Sequence, residues 1–507
     1  VNHRPKMMLF SHICSSAYIT GAEKLLLMFA RELQSMFRCT LVVPQDGVLA
    51  GEARAAGLQV EILDLPLLVE LYSAEPNLLQ RAEAMRLDPS WSGLQQLLQG
   101  HRPDCVWVNT CVHPMPAMAA KSLGIPTVWA MMETIADTPF RAEATEIISR
   151  YSDRLIGISG TTLSPFSREI LDAKRAVVLP PYVDREEYHP NQWSVYRTLL
   201  RRNFNWSEEH RVVGMIAATF YPNKGVREFL NAVLPIAAGD PRVRVLLAGN
   251  PMNEVYSEEC RSLVEQSGLA DRVQWLGFTE RVEQVYPAMD VVVVPSLMIE
   301  GFGMTALEGM MFGKPVITFA AGGLQELLLS TGNEGLLVPL GDVAGLSGKI
   351  AGLVQDDALR FTVGQRNMGA AGALYGYGPF RRRLAAFAAE LPVDLEPMSP
   401  LVRGSGPTVF LLENGFRRPF PSEEIFRERG FRFEDVRSVT DEELDSIPLG
   451  SPMEPLPRTT PSAGIPVTVP APRKKRKRSG RRRRAGRRRS VRKRASARRK
   501  PKSRARG

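Results

Sequence analysis

The chain has 507 residues, 44% of them hydrophobic, enough for about three domains with real cores. Its net charge of +11 is unevenly spread: residues 473–507 hold 22 Lys/Arg and no acid, so residues 1–472 carry 43 basic against 54 acidic side chains. No apolar run approaches the ~18–20 residues of a membrane span, and the start, VNHRPKMMLF, lacks the apolar core of a secretory signal. Five scattered cysteines with no CxxC predict reduced thiols in a cytoplasm-like compartment and argue against zinc or a disulfide framework.

In chain order, short apolar strands alternate with helical stretches. Strands are predicted at Lys6–His12, Cys39–Val43, Val60–Leu63, Cys105–Asn109, Thr127–Met131, Leu155–Ile158 and Ala176–Leu179. Helices are predicted at Gly21–Phe37, Gly51–Ala56, Pro114–Leu123, Phe140–Tyr151 and Thr161–Leu171. Such alternation implies a parallel sheet with helices on both faces. The pattern then repeats. Strands are predicted at Val212–Ala218, Val243–Ala248, Val273–Leu276, Val291–Val294, Val316–Phe319 and Gly335–Val338. Helices between them are predicted at Val226–Ala238, Val255–Gln266, Val282–Pro287, Met304–Phe312, Leu324–Leu329 and Val343–Leu353, with a last one at Pro379–Glu390. The fold class is therefore α/β, with two doubly wound Rossmann-like domains, 1–190 and 191–391, facing across a cleft at the carboxyl ends of their strands. A linker (392–407), a small α+β module (408–450), a Pro-rich linker (451–472) and a disordered polybasic tail (473–507) follow. In the module, a hairpin turn is predicted at Asn414-Gly415, Ser422 is predicted to cap a helix ending at Gly430, and Thr440 with Glu443 reads as a capping box.

Four places could carry chemistry. Gly21-Ala22-Glu23 opens a helix after the first strand, where a glycine would let a phosphate or sugar approach the backbone; an ordinary strand–helix turn has the same look. Pro222-Asn223-Lys224-Gly225 follows the first strand of the second domain, and Lys224 could neutralise a diphosphate leaving group or simply be solvated. The Gly-rich stretch Glu300-Gly301-Phe302-Gly303 leads into a helix holding Glu308. Free N–H groups at that helix start suit a phosphate, and flanking carboxylates suit hydroxyls of a ribose or a sugar. His113 follows a strand end and could face the cleft as a catalytic group, although a lone histidine is commonly a packed one.

The stretch EGFGMTALEGMMFGKPVITFAAGGLQEL resembles the E-x7-E signature of family-4 retaining glycosyltransferases, which have the GT-B fold. TGAEKLLL, VLPPYVDREEYHP, TFYPNKGVREFL and RVQWLGFTERVEQVYPAMDVVVVPS extend the resemblance over roughly residues 6–390. The resemblance implies a nucleotide diphosphate sugar, UDP- or GDP-linked, as donor, and no required cofactor or metal. It implies that Glu300 holds the donor sugar's hydroxyls and that the backbone of Phe302, Gly303, Met304 and Thr305 cradles the sugar and distal phosphate. Glu308 would bind the ribose, Lys224 would grip the diphosphate, Gly21 would let the first domain close on the donor, and Gly277 and Phe278 would lie near the base. Two positions depart from the family. Thr219 stands where an arginine often lies, and Trp129-Ala130-Met131-Met132-Glu133 lacks the usual strand-end His or Arg, leaving Glu133 as a candidate contact. A GT-B-like structural or binding protein tethered by its tail remains the alternative. The tail has no aromatic residues between its arginines, so it is expected to bind polyanions (nucleic acid, an anionic membrane surface or an acidic polymer) without sequence preference. Peripheral membrane or nucleoid association would follow.

Overall fold

The structure is a computed structural model, and it describes residues 4–393, 400–413, 416–439, 441–445 and 447–455. The Asn414-Gly415 turn, Thr440 of the capping box, the end of the Pro-rich linker and the basic tail lie outside the described residues.

The first domain is a seven-stranded sheet: β1 (Lys6–Phe10), β2 (Arg38–Val43), β3 (Gln59–Ile62), β4 (Cys105–Asn109), β5 (Thr127–Met131), β6 (Arg154–Gly157) and β7 (Val177–Val178). Its order is β3-β2-β1-β4-β5-β6-β7, and every pairing is parallel. The second domain has six strands: β8 (Arg211–Thr219), β9 (Val243–Asn250), β10 (Val273–Leu276), β11 (Val291–Val294), β12 (Val316–Phe319) and β13 (Leu337–Val338). Their order, β10-β9-β8-β11-β12-β13, is again parallel throughout. In both sheets the order reverses beside the first strand, so the crevice for a ligand opens at the ends of β1 and β4 and of β8 and β11. The central strands are continuous apolar runs because helices cover both their faces: β4, β5, β11 and β12 are buried at every position.

Two predicted helices are corrected. Thr161–Leu171 is two helices, Gly160–Leu163 and Arg168–Ala173, separated at Ser164-Pro165, because proline cannot continue an α-helical ladder. Val282–Pro287 is a pair of 3₁₀ turns, Val282–Gln284 and Tyr286–Ala288. The helices Leu78–Ala84, Ser90–His101, Trp193–Asn203 and Asp357–Tyr375 were not anticipated.

The helix Tyr377–Ala389 returns to the first domain. Phe380 packs on Phe29, and Phe387 stands edge-on to Trp107. Arg154, the first residue of β6, donates to the Glu390 carbonyl and to its carboxylate, both at 3.0 Å. The two domains are thus joined by a helix as well as by their linker. The small module follows as a sheet of order β16-β15-β14-β17: β14 (Leu401–Arg403), β15 (Phe410–Glu413), β16 (Phe416–Pro419) and β17 (Arg437–Ser438). Its core joins Leu401, Leu411, Phe420, Phe426 and Met453, and Ser422 caps the helix Glu423–Glu428.

Candidate active site

The second domain's half of the cleft is fixed by glycines. Gly225 has φ +75°, and a Cβ there would collide with the Pro295 carbonyl. The turn Pro222–Lys224 can therefore lie directly on the segment that leaves β11. Leu297 N–H donates to the Asn223 carbonyl at 2.8 Å and locks the two together. This brings Lys224 Nζ to 2.7 Å from Glu300 Oε1, although the residues are 76 positions apart. Ser296 Oγ donates to the same oxygen at 2.7 Å.

Glu300 is held from its other side too. It bridges to Gly322, and Gly323 N–H donates to its carbonyl at 2.8 Å. Gly303, at φ +109°, ends the loop and starts the helix Met304–Met311; a Cβ would strike Leu324. The first-turn amides of that helix have no intrahelical acceptor, so Gly303, Met304 and Thr305 present polar N–H groups beside Glu300. About one turn further, Glu308 Oε2 accepts from Tyr286 Oη at 3.0 Å. Part of Glu308 reaches solvent, but its carboxyl is packed in protein, and this burial pushes its pKa up to about 7; the Lys24 ammonium, across the cleft, and the Tyr286 hydroxyl partly oppose that rise. Thr219 ends β8, just past a register shift against β9, while Gly277 follows β10 with open space around it and Phe278 is exposed.

The first domain touches this loop. A Cβ on Gly301 would collide with the Met132 carbonyl at the end of β5, and Ser159 Oγ donates to the Gly301 carbonyl at 2.5 Å. Glu326, in the helix Gly323–Ser330, accepts from Gly160 N–H at 2.8 Å and from the amide and hydroxyl of Thr161. Sequence reasoning missed this clasp, because a bond between residues 165 or more apart leaves no local pattern. It also missed the capping box at Gly21, in which Thr20 N–H donates to Glu23 at 2.7 Å and Glu23 N–H donates back to Thr20. The T-x-x-E spacing was there to be read. Gly21 itself is exposed, and a Cβ on it would meet nothing.

His113 and Glu133 lie at neighbouring strand ends in the first domain, and neither bonds to the Lys224–Glu300 pair among the described residues. Glu133 Oε1 accepts from Cys111 N–H at 2.7 Å, and burial raises its pKa. His113 is fully enclosed, edge-on to Phe10, with both ring nitrogens unpartnered among the described residues; burial drives its pKa down to about 3. His12 beside it is held near 4, also by burial. Both imidazoles are neutral at ordinary pH. All five cysteines are buried and unpaired.

Two parallel Rossmann-like domains facing across such a cleft define the GT-B architecture. Two family profiles match the chain: the glycosyl transferase 4-like domain over residues 20–182 and glycosyl transferases group 1 over residues 210–356. The chain belongs to the glycosyltransferases. Among relatives, the D-inositol 3-phosphate glycosyltransferase of Corynebacterium efficiens is 32% identical over 200 residues, covering 38% of this chain and 46% of that protein. The lipopolysaccharide core biosynthesis mannosyltransferase LpsB of Rhizobium meliloti is 25% identical over 259 residues, covering 50% and 70%. The matched stretch spans a little under half the length of the first of these relatives. The Anabaena protein HepE, solved with UDP and glucose, superposes with a TM-score of 0.62 at 22% identity, covering 76% of this chain and 100% of that one. At that identity the likeness shows the fold.

Proposed function

We propose that this protein transfers a sugar, with retention of configuration, from a nucleotide diphosphate sugar to a hydroxyl of an acceptor. One observation carries the reading: Lys224, Ser296 and Glu300 converge within hydrogen-bond distance beside the open amide groups of the helix Met304–Met311. A diphosphate needs a cation and N–H donors, and a sugar needs a carboxylate to accept from its hydroxyls. Here the two lie side by side. In the free site Lys224 is neutralised by Glu300, so the arriving diphosphate draws the ammonium away and frees the carboxylate for the sugar. Glu308 then accepts from the ribose hydroxyls, and Gly277 and Phe278 border the base.

In the transfer step, the bond from the anomeric carbon to the phosphate oxygen breaks and its electron pair leaves with the diphosphate. The acceptor oxygen bonds to that carbon from the same face, and its proton passes to the departing phosphate oxygen. No strong protein base is needed. Positioning and stabilisation of the leaving charge by Lys224 and the helix amides supply the acceleration. HepE was solved with UDP, so UDP-sugars are the first donors to test. The assay is turnover with UDP-, GDP- and ADP-sugars, paired with Glu300→Ala and Lys224→Ala. Full activity of either variant, or no donor binding, refutes the reading.

The 22 Lys/Arg of residues 473–507 support a second proposal, that the tail binds polyanions through their phosphate or carboxylate charge. Binding by the full chain should fall steeply with salt, and a 1–472 truncation should lose it. Equal binding by both would refute it.

A further inference from the structure

The segments that join the carboxyl ends of β1 to β6 to the next longer helices are 11–20, 44–47, 63–77, 110–113, 132–140 and 158–167, two of which hold one-turn helices, Glu70–Ser73 and Gly160–Leu163. Together they contain six acids, Asp46, Asp64, Glu70, Glu75, Glu133 and Asp137, and no lysine or arginine. Helices behind the loops send arginines to four of these acids: Arg54 to Asp46, Arg81 to Glu70 and Glu75, and Arg141 to Asp137. Each of those guanidiniums is paired with a carboxylate of the segment that precedes its own helix. Glu133 receives no such partner among the described residues. It stands just past the end of β5, next to the Met132 carbonyl that touches the donor loop, and it shares its surroundings with Tyr72, Cys111 and Glu300.

The remaining polar groups add no positive charge. His12, half-buried, and His113, buried, are both neutral, and the Asn109 Oδ1 and both His113 nitrogens are unpartnered among the described residues. Of the lysines facing the cleft, Lys224 is bound to Glu300, and Lys24 stands towards Glu308. Lys224 belongs to the second domain; Lys24 belongs to the first-domain helix Gly21–Leu33, but it faces the ribose end of the donor site across the cleft.

An acceptor must place its hydroxyl beside the sugar in front of β4 and β5, against this wall. A phosphate or carboxylate entering there would lose water and meet Glu133 with no cation, a cost that an uncharged hydroxyl escapes. An ammonium group would instead find a carboxylate. We propose, building on the transfer reading, that the acceptor is an uncharged or amine-bearing polyol, a sugar or cyclitol whose entering part carries no phosphate or carboxylate, and that Glu133 sets this preference.

The test uses the full chain with its best donor and a matched set of acceptors: inositol, an inositol monophosphate and an aminocyclitol. Donor binding is followed in parallel by thermal shift with the nucleotide diphosphate. The expected result is kcat/KM for the unphosphorylated or amine-bearing members at least about tenfold above that for the monophosphate, in line with rejection of an unpaired charge. Glu133→Gln, whose amide oxygen can still accept from Cys111 N–H, should narrow the preference for the amine and leave the donor-induced shift in place. Equal or better use of the monophosphate overturns the proposal. So does transfer to none of the three by a protein that binds the donor, and in that case the transfer reading stands. A preference unchanged in Glu133→Gln removes Glu133 from the role. Absence of donor binding overturns both readings together.

Discussion

The two halves of the cleft are built on the same sheet plan and differ in how their polar groups are satisfied. In the second domain the charged groups of the donor loop are held by partners. Lys224 lies on Glu300, Ser296 supports the same oxygen, and Tyr286 supports Glu308. Glycines at 225, 303 and 322 hold the backbone in conformations that bring these segments together. In the first domain the corresponding strand ends carry neutral groups with atoms unpartnered among the described residues, namely His12 Nδ1, Asn109 Oδ1 and both nitrogens of His113, with Glu133 bonded to a backbone amide. One half holds charges ready for a charged ligand. The other offers a hydrogen-bonding surface whose strand-end segments carry no lysine or arginine. A site that handles one invariant diphosphate and a variable partner would need this division, and the comparison can be broken at several points.

The largest effect is expected at the paired charges. Lys224→Ala or Glu300→Gln should lower kcat by about 10²–10³-fold, the range found when one stabilising contact to developing charge is removed. A change of acceptor should not restore it. Equivalent substitutions of His113 should act mainly on stability, because its ring is enclosed against Phe10 and neutral. Comparing kcat and urea midpoints for Lys224→Ala and His113→Ala would separate the halves; a His113 variant that folds normally yet loses kcat like Lys224→Ala would erase the distinction.

Next comes the turn that creates the pair. Gly225→Ala forces a side chain onto the Pro295 carbonyl at φ +75° and should destabilise the protein by about 3 kcal/mol, read as a lowered urea midpoint. Gly21→Ala, where a Cβ meets nothing, should cost little in stability, so any fall in donor affinity would come from lost room for the ligand. A smaller effect is expected at the clasp. Glu326→Ala removes the acceptor for Gly160 and Thr161, which tie the first domain to the helix Gly323–Ser330 next to the donor loop. Loss of such charge-assisted bonds, about 1–2 kcal/mol, should raise the donor KM about tenfold with a smaller change in kcat. Unchanged kinetics would show that the contact does not govern closure.

Much of this was legible in the chain. Strands β4, β5, β10, β11 and β12 fall where their apolar, largely β-branched runs placed them, and Gly303 and Gly322 mark the turns they make. The loop around Glu300 and the lysine turn could be picked out because their glycines are spaced for backbone, not for side chains. The helix Asp357–Tyr375 was illegible for the converse reason. It buries only Val363, Gly364, Asn367 and Ala371, so it shows no apolar stripe to a periodicity search. The clasp at Glu326 and the return of Tyr377–Ala389 to Phe29 and Trp107 arise from tertiary contacts and leave no mark on local spacing.

The smallest effect is one of pH, and it sets the two roles of Glu308 against each other. Burial raises its pKa from the usual carboxylate range to about 7 in the folded, unliganded protein. The folded state therefore binds more protons than the unfolded state between about pH 4.5 and 7, and the contribution of this residue to stability falls as pH rises through that window. Donor binding should run the other way, because only the ionised carboxylate makes charge-assisted bonds to ribose hydroxyls. Affinity for the nucleotide diphosphate should drop several-fold between pH 8 and pH 6, with the loss of one such bond. Glu308→Gln should flatten both profiles, whereas Tyr286→Phe, which removes a hydrogen bond favouring the ionised form, should move the midpoint of binding upward. If Glu308→Gln flattened the stability profile but left the binding profile of wild type, the carboxylate would be a buried structural group and the ribose would have to be held elsewhere.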